Sequence, residues 1–200
     1  MAEGCSIELF KSSIPVEYGG RASSVLEIKS KEGNSKKLTG SVGLGVLTSR
    51  FNLEGPIVKD KTTFVTGGRI TYSDWLLKFI PENSNYANGA ASFYDYSLGL
   101  THKFNTRNTL HAYGYISHDA FKFTNDIGLK YNNRNFSVDW RSNFNDKNSM
   151  TLAAGVDSYD TEADESYDEF ASYYVKTKVQ QGYVKLNFKT ALSMSHTLTY

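Results

Sequence analysis

The chain has few of the residues that cross-link a fold or place it in a membrane as helices. Cys5 is the one cysteine among 200 residues, so no disulfide can form within the chain. There are three prolines, where average usage would give about ten. Apolar runs such as Trp75-Leu76-Leu77 are at most about three residues long, and a membrane-spanning helix needs about 20. These shortages exclude a disulfide-stabilised domain and a helix that spans a membrane.

The charge balance is also nearly neutral. The chain carries 22 basic and 21 acidic residues, a formal net charge of +1, and its pI is about 7.8. Nucleic-acid-binding domains usually carry a strongly basic patch or stripe. No basic stripe with interleaved aromatic residues occurs in this sequence. The composition therefore predicts no nucleic-acid partner.

What the chain has is a repeated alternation of apolar and polar residues. It contains 14 tyrosines and 12 phenylalanines, which favour strands, and asparagine, serine, threonine and glycine fill the intervals. An apparent slip of the alternation at Gln180–Gly182 predicts a bulge. The period of two predicts about nine strands after residue 37, at Leu38–Val46, Phe51–Ile57, Thr62–Trp75, Ser92–Phe104, Thr109–Asp119, Phe136–Phe144, Met150–Val156, Ser172–Lys189 and a last strand reaching Tyr200.

The connections between these strands fall into two kinds that alternate. Short turns are predicted at 58–61, 105–108, 145–148 and 191–195, and long connections at 76–90, 120–131 and 159–170. In antiparallel up-and-down order, all short turns lie at one end of the sheet. Transmembrane barrels have this asymmetry, whereas a β-sandwich gives no reason for it.

The fold prediction is therefore all-β, with an antiparallel up-and-down segment of a transmembrane β-barrel. One face of most strands is apolar and the other polar, as a barrel wall requires. A soluble sheet with one face on a core has the same alternation, so a soluble all-β cell-surface binding module is the alternative. An adhesive β-array would need an internal repeat, and none is evident.

Two stretches resemble a known family. IELFKSSIPVEYGGRASSVLEIKSKEG (Ile7–Gly33) resembles the last segment of the plug domain of TonB-dependent outer-membrane receptors. RFNLEGPIVKDKTTFVTGGRITY (Arg50–Tyr72) resembles their first barrel hairpin, and its EGPIVKDK turn is the more specific part. The resemblance implies the end of a plug at residues 1–33, a linker at 34–37 and the N-terminal part of a barrel at 38–200.

The same resemblance implies a function and a location. Receptors of this family have a barrel of about 22 strands filled by an N-terminal plug. They import scarce ligands (iron chelates, cobalamin, glycans or peptides) with energy passed from the inner membrane. We therefore expect a part of a longer receptor in the bacterial outer membrane. Its expected partners are outer-membrane lipid, an unidentified ligand and, through a part of the plug outside this sequence, a periplasmic energy-coupling protein.

The resemblance also directs attention to the junction between plug and barrel. The pair Gly19-Gly20 suits a sharp corner, because glycine adopts backbone conformations closed to other residues. Arg21, Glu27 and Lys29 follow it at positions where ion pairs between plug and barrel could lock or release the plug. Plain solvation of the three side chains is the alternative.

Two predicted long connections supply further candidates. Trp75, Phe79 and Tyr86 in the first are candidate ligand contacts because of their location. The acidic connection at 159–170 could gather a cation, although its spacing matches no calcium-loop motif and a solvated loop is the alternative. Its candidate residues are Asp160, Glu162, Asp164 and Glu165.

No arrangement of residues indicates catalysis. His102 and His111 are predicted to lie opposite each other on neighbouring strands, but two ligands make a poor metal site. No nucleophile–base spacing, paired carboxylate motif or phosphate-binding glycine loop stands out. The sequence therefore predicts no enzyme, no cofactor and no bound metal.

Overall fold

A computed structural model describes residues 6–12, 14–15, 18–19, 23–72, 90–123, 127–168, 171–193 and 196–200. Within these ranges the chain is built of β-strands, and no stretch forms a helix long and apolar enough to cross a membrane. The strands are β1 Ser6–Lys11, β2 Ser24–Lys29, β3 Thr39–Leu44, β4 Thr48–Val58, β5 Thr62–Thr71, β6 Ala90–Lys103, β7 Asn108–Phe123, β8 Ile127–Asn143, β9 Asn148–Asp168, β10 Ala171–Ala191 and β11 Thr197–Thr199.

The strands form two antiparallel sheets. β1 and β2 pair with each other in a two-stranded sheet, and β3 to β11 form a nine-stranded sheet in sequence order. Each strand of the larger sheet therefore pairs with its neighbours along the chain, which confirms the all-β, antiparallel, up-and-down prediction. β3 and β11 are its two edges and do not pair with each other in the described residues, so the sheet is open.

The predicted short turns lie at one end of the sheet, and two of them, at 105–108 and 145–148, are held by asparagine side chains. In the turn after β8, Asn145 Oδ1 accepts hydrogen bonds from the backbone N–H of Lys147 at 2.9 Å and of Asn148 at 2.8 Å. Asn105 makes the same two bonds in the turn after β6. An asparagine at the start of a turn can thus replace backbone hydrogen-bond partners that the turn leaves open. The repeated Phe-Asn-x-basic-Asn sequence is the local cause of both turns.

We expect Asn145→Ala to lower the free energy of unfolding by about 1–2 kcal/mol, because the turn amides lose their acceptor. Denaturant unfolding followed by tryptophan fluorescence measures the change. Asp146→Ala in the same turn is the control and should change stability by less than about 0.5 kcal/mol. Equal effects of the two substitutions would contradict this role for Asn145.

At the opposite end of the sheet the strands extend to different lengths, and two of the predicted long connections are wrong. Strand length rises from 10 residues in β5 to 21 in β9 and β10. The long connections predicted at 120–131 and 159–170 are therefore wrong, because β7 and β8 continue to 123 and from 127, and β9 and β10 to 168 and from 171. In the far ends of β7 and β8 the apolar residues change face: Phe121 and Leu129 are paired on the face that is polar in the rest of the sheet, so the alternation is out of phase there. The connection predicted at 76–90 lies almost entirely outside the described residues.

The bulge predicted at Gln180–Gly182 is also wrong. Gln180 and Gly182 pair in regular register with Ser158 and Val156, and the register shift between β9 and β10 lies at Ala171/Ser172. The apparent slip arises because Val179 lies on the opposite face from Val184. The face that carries the apolar residues of β10 changes near Gln180, while the backbone pairing of β10 with β9 continues in regular register.

The two faces of the nine-stranded sheet differ sharply in chemistry. Directly paired residues of antiparallel strands lie on the same face, so the register assigns every side chain. The apolar face carries Val42, Phe51, Leu53, Phe64, Ile70, Tyr94, Tyr96, Leu98, Leu100, Ile116, Phe136, Val138, Trp140, Leu152, Val156, Val184 and Leu186. The polar face carries Glu54, Arg69, Asp95, Ser97, His111, Ser117, Asn133, Asn135, Asp139, Arg141, Asp157, Gln181 and Lys185.

The apolar face is not buried in a core. Val184 is 75% exposed and Val42 73%, and no large side chain among the described residues is fully buried. The accessible surface is 14351 Å², whereas a compact monomer of 22.4 kDa would expose about 9,400 Å². The chain therefore presents a broad apolar surface to its surroundings.

Candidate functional site

The segment that follows β2 lies against the polar face of the sheet. Ser30 Oγ lies 3.1 Å from His111 Nε2 in a hydrogen bond, and Lys31 Nζ donates to Glu54 Oε1 at 2.6 Å. Glu32 Oε2 accepts an ion pair from Lys103 Nζ at 2.9 Å. Three consecutive residues thus contact three different strands: β7, β4 and β6. We call residues 30–35 the docking segment.

Glu54 is the most enclosed partner in this contact. Its side chain is 18% exposed, and its Oε1 accepts from both Lys31 Nζ and Thr39 Oγ1, the latter at 3.2 Å. Its Oε2 is buried and has no hydrogen-bond partner among the described residues. A half-buried carboxylate depends strongly on the one cation that neutralises it. Removing the charge of Lys31 would therefore leave the partly buried Glu54 carboxylate without a cation.

His111 connects the docking segment to a charge network on β8. His111 Nδ1 lies 3.3 Å from Asp139 Oδ1, while its other ring nitrogen meets Ser30. Asp139 Oδ2 lies 3.2 Å from Arg141 Nε on the same strand. Because neutral histidine has one N–H and one acceptor nitrogen, this ring can serve Asp139 and Ser30 at the same time.

Gly33 allows the docking segment to approach the sheet closely. A Cβ at Gly33 would overlap the carbonyl oxygen of Phe64 and lie 3.1 Å from the Cβ of Thr63. The neighbouring Ser35 carbonyl accepts a hydrogen bond from the backbone N–H of Asp60 at 3.3 Å. The segment is therefore in backbone contact with β5 and with the turn before it.

We expect Gly33→Ala to displace the docking segment, since the obstacle is backbone and cannot rotate away. Hydrogen exchange of the amides in 30–35 should become faster, while exchange in β7 and β8 stays unchanged. Gly114→Ala is the matched control, because a Cβ there meets nothing within 4 Å. Unchanged exchange at 30–35 in Gly33→Ala would contradict close docking.

Of the predicted junction residues, Glu27 and Lys29 are described with their side chains, and they do not form the ion pairs of this contact. Glu27 and Lys29 pair with each other, at 2.9 Å between Lys29 Nζ and Glu27 Oε2. Gly19 follows Tyr18, whose N–H donates to the Pro15 carbonyl at 2.9 Å. Gly20 and Arg21 lie outside the described residues. Among the described residues, the ion pairs from this part of the chain to the sheet come from Lys31 and Glu32.

Tyr18, in the N-terminal hairpin that contains β1 and β2, contacts β10 of the sheet and also forms a hydrogen bond with Glu27. Lys185 Nζ on β10 lies 5.3 Å from the centre of the Tyr18 ring. Burial alone would raise the pKa of Glu27, but hydrogen bonds from Tyr18 and Lys29 outweigh it and hold the pKa below its ordinary value. The hydrogen bond with Glu27 in turn raises the pKa of Lys29.

The lowered pKa of Glu27 makes the stability of the N-terminal hairpin depend on pH. A carboxylate with a lowered pKa stabilises the folded form above its ordinary value of 4.5, and the contribution is lost as pH falls through the lowered pKa. We expect the β2 amide NMR shifts to change below about pH 4.5 in the natural chain. The same shifts should not titrate in Glu27→Gln, and identical titrations in both chains would contradict the assignment.

The acidic candidates lie in a strand, which corrects their predicted placement in a loop. Asp160 is paired with Asn132 and Lys178, Glu162 with Lys130 and Lys176, and Asp164 with Gly128 and Tyr174. Lys176 Nζ donates to Glu162 Oε1 at 2.6 Å, and this bond lowers the pKa of Glu162. In the described part of the chain, no group of three His, Cys, Asp or Glu side chains could hold a metal ion. Cation binding by these residues stays a prediction, and the side chain of Glu165 lies outside the described set.

Two other sets of candidates can be placed. His102 and His111 are not opposite each other: His102 pairs with Leu110 and His111 with Thr101, so the two rings lie on opposite faces. The predicted pairing is wrong because Phe104 N–H donates to the Asn108 carbonyl at 3.0 Å, so the turn between these opposed residues holds three residues, Asn105–Arg107, instead of two. Trp75, Phe79 and Tyr86 lie outside the described residues and remain predictions of ligand contacts.

The site is thus a polar sheet surface with a docked N-terminal segment, joined by hydrogen bonds and ion pairs. Comparisons with protein-family models, with curated proteins and with solved structures give no match.

Proposed function

We propose that this chain is part of a TonB-dependent outer-membrane receptor that imports a scarce ligand. In this proposal the nine-stranded sheet is part of the barrel wall, and residues 1–33 are the end of a plug inside it. One observation carries the proposal: the N-terminal segment covers the polar face of the sheet and leaves the apolar face uncovered.

The physical argument is a comparison of the two faces. In water, burying apolar surface yields about 25 cal/mol per Å², so a soluble domain gains most by covering its apolar face. In this chain, Ser30, Lys31 and Glu32 instead contact His111, Glu54 and Lys103, respectively, on the polar face. Such an arrangement is favourable when lipid covers the apolar face and the polar face lines a wet interior.

The dimensions of the apolar face fit a bilayer. Along β6 and the residue that follows it, the apolar face runs from Tyr94 to Phe104, with an aromatic residue at each end and His102 as its one polar member. Ten steps of about 3.3 Å give about 33 Å along the strand, or about 25 Å in height at a tilt of about 40°. This matches the apolar band of outer-membrane barrels, which is about 25 Å tall and has aromatic residues at both borders.

The strand ends beyond the band support the same orientation. On β8 the apolar face ends at Phe136 and continues with Arg134, Asn132 and Lys130, and on β10 it continues from Gly182 with Gln180 and Lys178. A barrel strand needs about 9–11 residues to cross a bilayer, whereas β9 and β10 have 21 each. The surplus would stand in water on the outer side of the membrane, with the short turns in the periplasm.

The contacts of the docking segment suit a plug that must move during import. They are two ion pairs and single hydrogen bonds, which can be exchanged for water at modest cost, rather than a packed apolar interface. Pulling on the chain before β1 by a periplasmic energy-coupling protein would then release Lys31 and Glu32 from the wall. The ligand class is open among iron chelates, cobalamin, glycans and peptides.

The membrane part of the proposal is tested by folding the chain from urea with and without lipid vesicles. We expect β-sheet circular dichroism and flotation with the vesicles in a density gradient when lipid is present, and aggregation without it. A monomeric chain that unfolds cooperatively in plain buffer would contradict the proposal and favour a soluble cell-surface binding module.

The transport part needs the source bacterium. Deleting the gene that encodes this chain should impair growth when one of the four ligand classes is limiting, and the defect should match that of a strain lacking the energy-coupling protein. Uptake assays with labelled ligand then identify the class. Normal growth and uptake for all four classes would refute the import function even if the chain proves to be a membrane protein.

A further inference from the structure

A cavity of about 520 Å³ lies at the turn end of the sheet, beside the turns after β6 and β8. Ten of its eleven lining residues are polar or charged, and the other is Ala191. Among the residues around it are Arg107, Asn145, Lys147, Ser149, Lys189 and Thr197. None of residues 30–35 and none of their partners Glu54, His111 and Lys103 is among the lining residues.

Backbone hydrogen bonds bring the cationic residues of this cavity together. The carbonyl of Arg107 accepts from the N–H of Asn143 at 2.8 Å, and the carbonyl of Lys147 accepts from the N–H of Ala191 at 2.7 Å. The turn after β6 is thereby held beside the end of β8, and the turn after β8 beside the end of β10. Lys189 is opposite Ser149 in the β9–β10 ladder, which places it next to the second turn.

The charges around the cavity are unbalanced. Arg107, Lys147 and Lys189 face a single carboxylate, Asp146. Arg107 Nη1 donates one hydrogen bond, to the Phe144 carbonyl at 3.3 Å, and neither Arg107 nor Lys147 forms an ion pair within the described residues. Lys189 interacts electrostatically with Glu27 of the N-terminal hairpin. Two cations with unused donors therefore lie at one polar cavity.

We propose that this cavity binds a phosphate group. Guanidinium and ammonium groups form strong charge-assisted hydrogen bonds with phosphate oxygens, and Arg107 offers the planar fork that can bind two of them. Side-chain amides and hydroxyls of Asn145, Ser149 and Thr197 supply neutral donors beside the cations. The volume is in the range of small-molecule sites, so the cavity admits a phosphorylated compound or a lipid headgroup.

The turn end is near the lower border of the apolar band, so the phosphate has two possible sources. One is a soluble phosphate compound, and this source does not depend on the proposed membrane function. The other is an anionic phospholipid headgroup at the inner surface of the membrane, and this source rests on the proposed function.

The test compares the natural chain with Arg107→Gln/Lys147→Gln and with Lys61→Gln. Lys61 is the matched control, because it ends the turn after β4 in the same way and its carbonyl accepts from Lys103 N–H at 2.8 Å, yet it does not line the cavity. The folded chain, in detergent micelles or in buffer as its solubility requires, is titrated calorimetrically with inorganic phosphate at constant ionic strength. A second titration uses micelles doped with phosphatidylglycerol, with phosphatidylcholine as the neutral comparison.

We expect saturable binding to the natural chain, at least tenfold weaker binding to the double variant and unchanged binding to Lys61→Gln. Binding of inorganic phosphate assigns a soluble source, and binding of phosphatidylglycerol alone assigns a headgroup. No saturable binding in either titration, or an equal loss in Lys61→Gln, would overturn the phosphate site. A chain that is soluble and still binds inorganic phosphate would refute the membrane proposal and leave this site standing.

Discussion

Val184→Arg is expected to destabilise the folded chain by about 2–4 kcal/mol in a bilayer, which is the usual cost of an arginine at the midplane of a barrel exterior. Val184 is 75% exposed, and its neighbour across the ladder is Ala154, in the row that leads through Val138 and Ala112 to Leu100. A side chain so exposed has little packing to lose. If water surrounds it, a polar substitution should therefore change stability by less than about 0.5 kcal/mol.

The control is Val179→Arg on the same strand. Val179 is 52% exposed and pairs with Tyr159 on the polar face, where arginine meets water in either account. Reversible urea unfolding in lipid vesicles gives both free energies. A large loss for Val184→Arg with little change for Val179→Arg is the predicted result, and small, equal effects would mean that the apolar face does not contact lipid.

Breaking the Lys31–Glu54 pair should weaken the contact of the docking segment with the sheet. Lys31→Ala leaves the Glu54 carboxylate without its cation while Oε2 already has no partner, and the cost of an unsatisfied partly buried charge is about 1–2 kcal/mol after allowing for the 37% exposure of Lys31. Hydrogen exchange of amides 30–35 measures the free energy of undocking directly.

A double-mutant cycle separates this pair from its surroundings. Glu54→Lys should undock the segment by placing two cations together, and Lys31→Glu in addition should restore part of the protection. Lys36→Ala, an exposed residue of the same linker, serves as the control and should leave exchange unchanged. A coupling energy near zero would show that the ion pair does not hold the segment.

The sheet strands could be predicted because lipid or core contact imposes a period of two over their central parts. Phe136, Val138 and Trp140 alternate with polar residues, and β8 is found there. The turns at 58–61, 105–108 and 145–148 were also predictable, since asparagine and aspartate suit tight turns. At Asp60 the backbone takes φ 58°, a conformation that aspartate tolerates better than most residues.

The long strand ends and the docking contacts could not be predicted in the same way. Asp160–Asp164 has no apolar face, so its pairing with Lys176 and Lys178 across the ladder is invisible to hydrophobic periodicity. Nothing in the sequence of Ser30–Gly33 marks its contacts with the sheet, because a residue that makes a long-range ion pair looks the same in sequence as one in water. Gly33 was the available signal, since close backbone approach is one of two reasons for a glycine at such a position.

The central claim, that the apolar face contacts lipid, is tested most directly by the fluorescence of Trp140. The chain has two tryptophans, so Trp75→Phe leaves Trp140 as the single reporter, 39% exposed on the apolar face. The variant is folded into vesicles, and quenching by brominated acyl chains is compared with quenching by acrylamide in the water. We predict strong quenching by the brominated lipid and weak quenching by acrylamide. Full quenching by acrylamide with none by the brominated lipid would contradict the account.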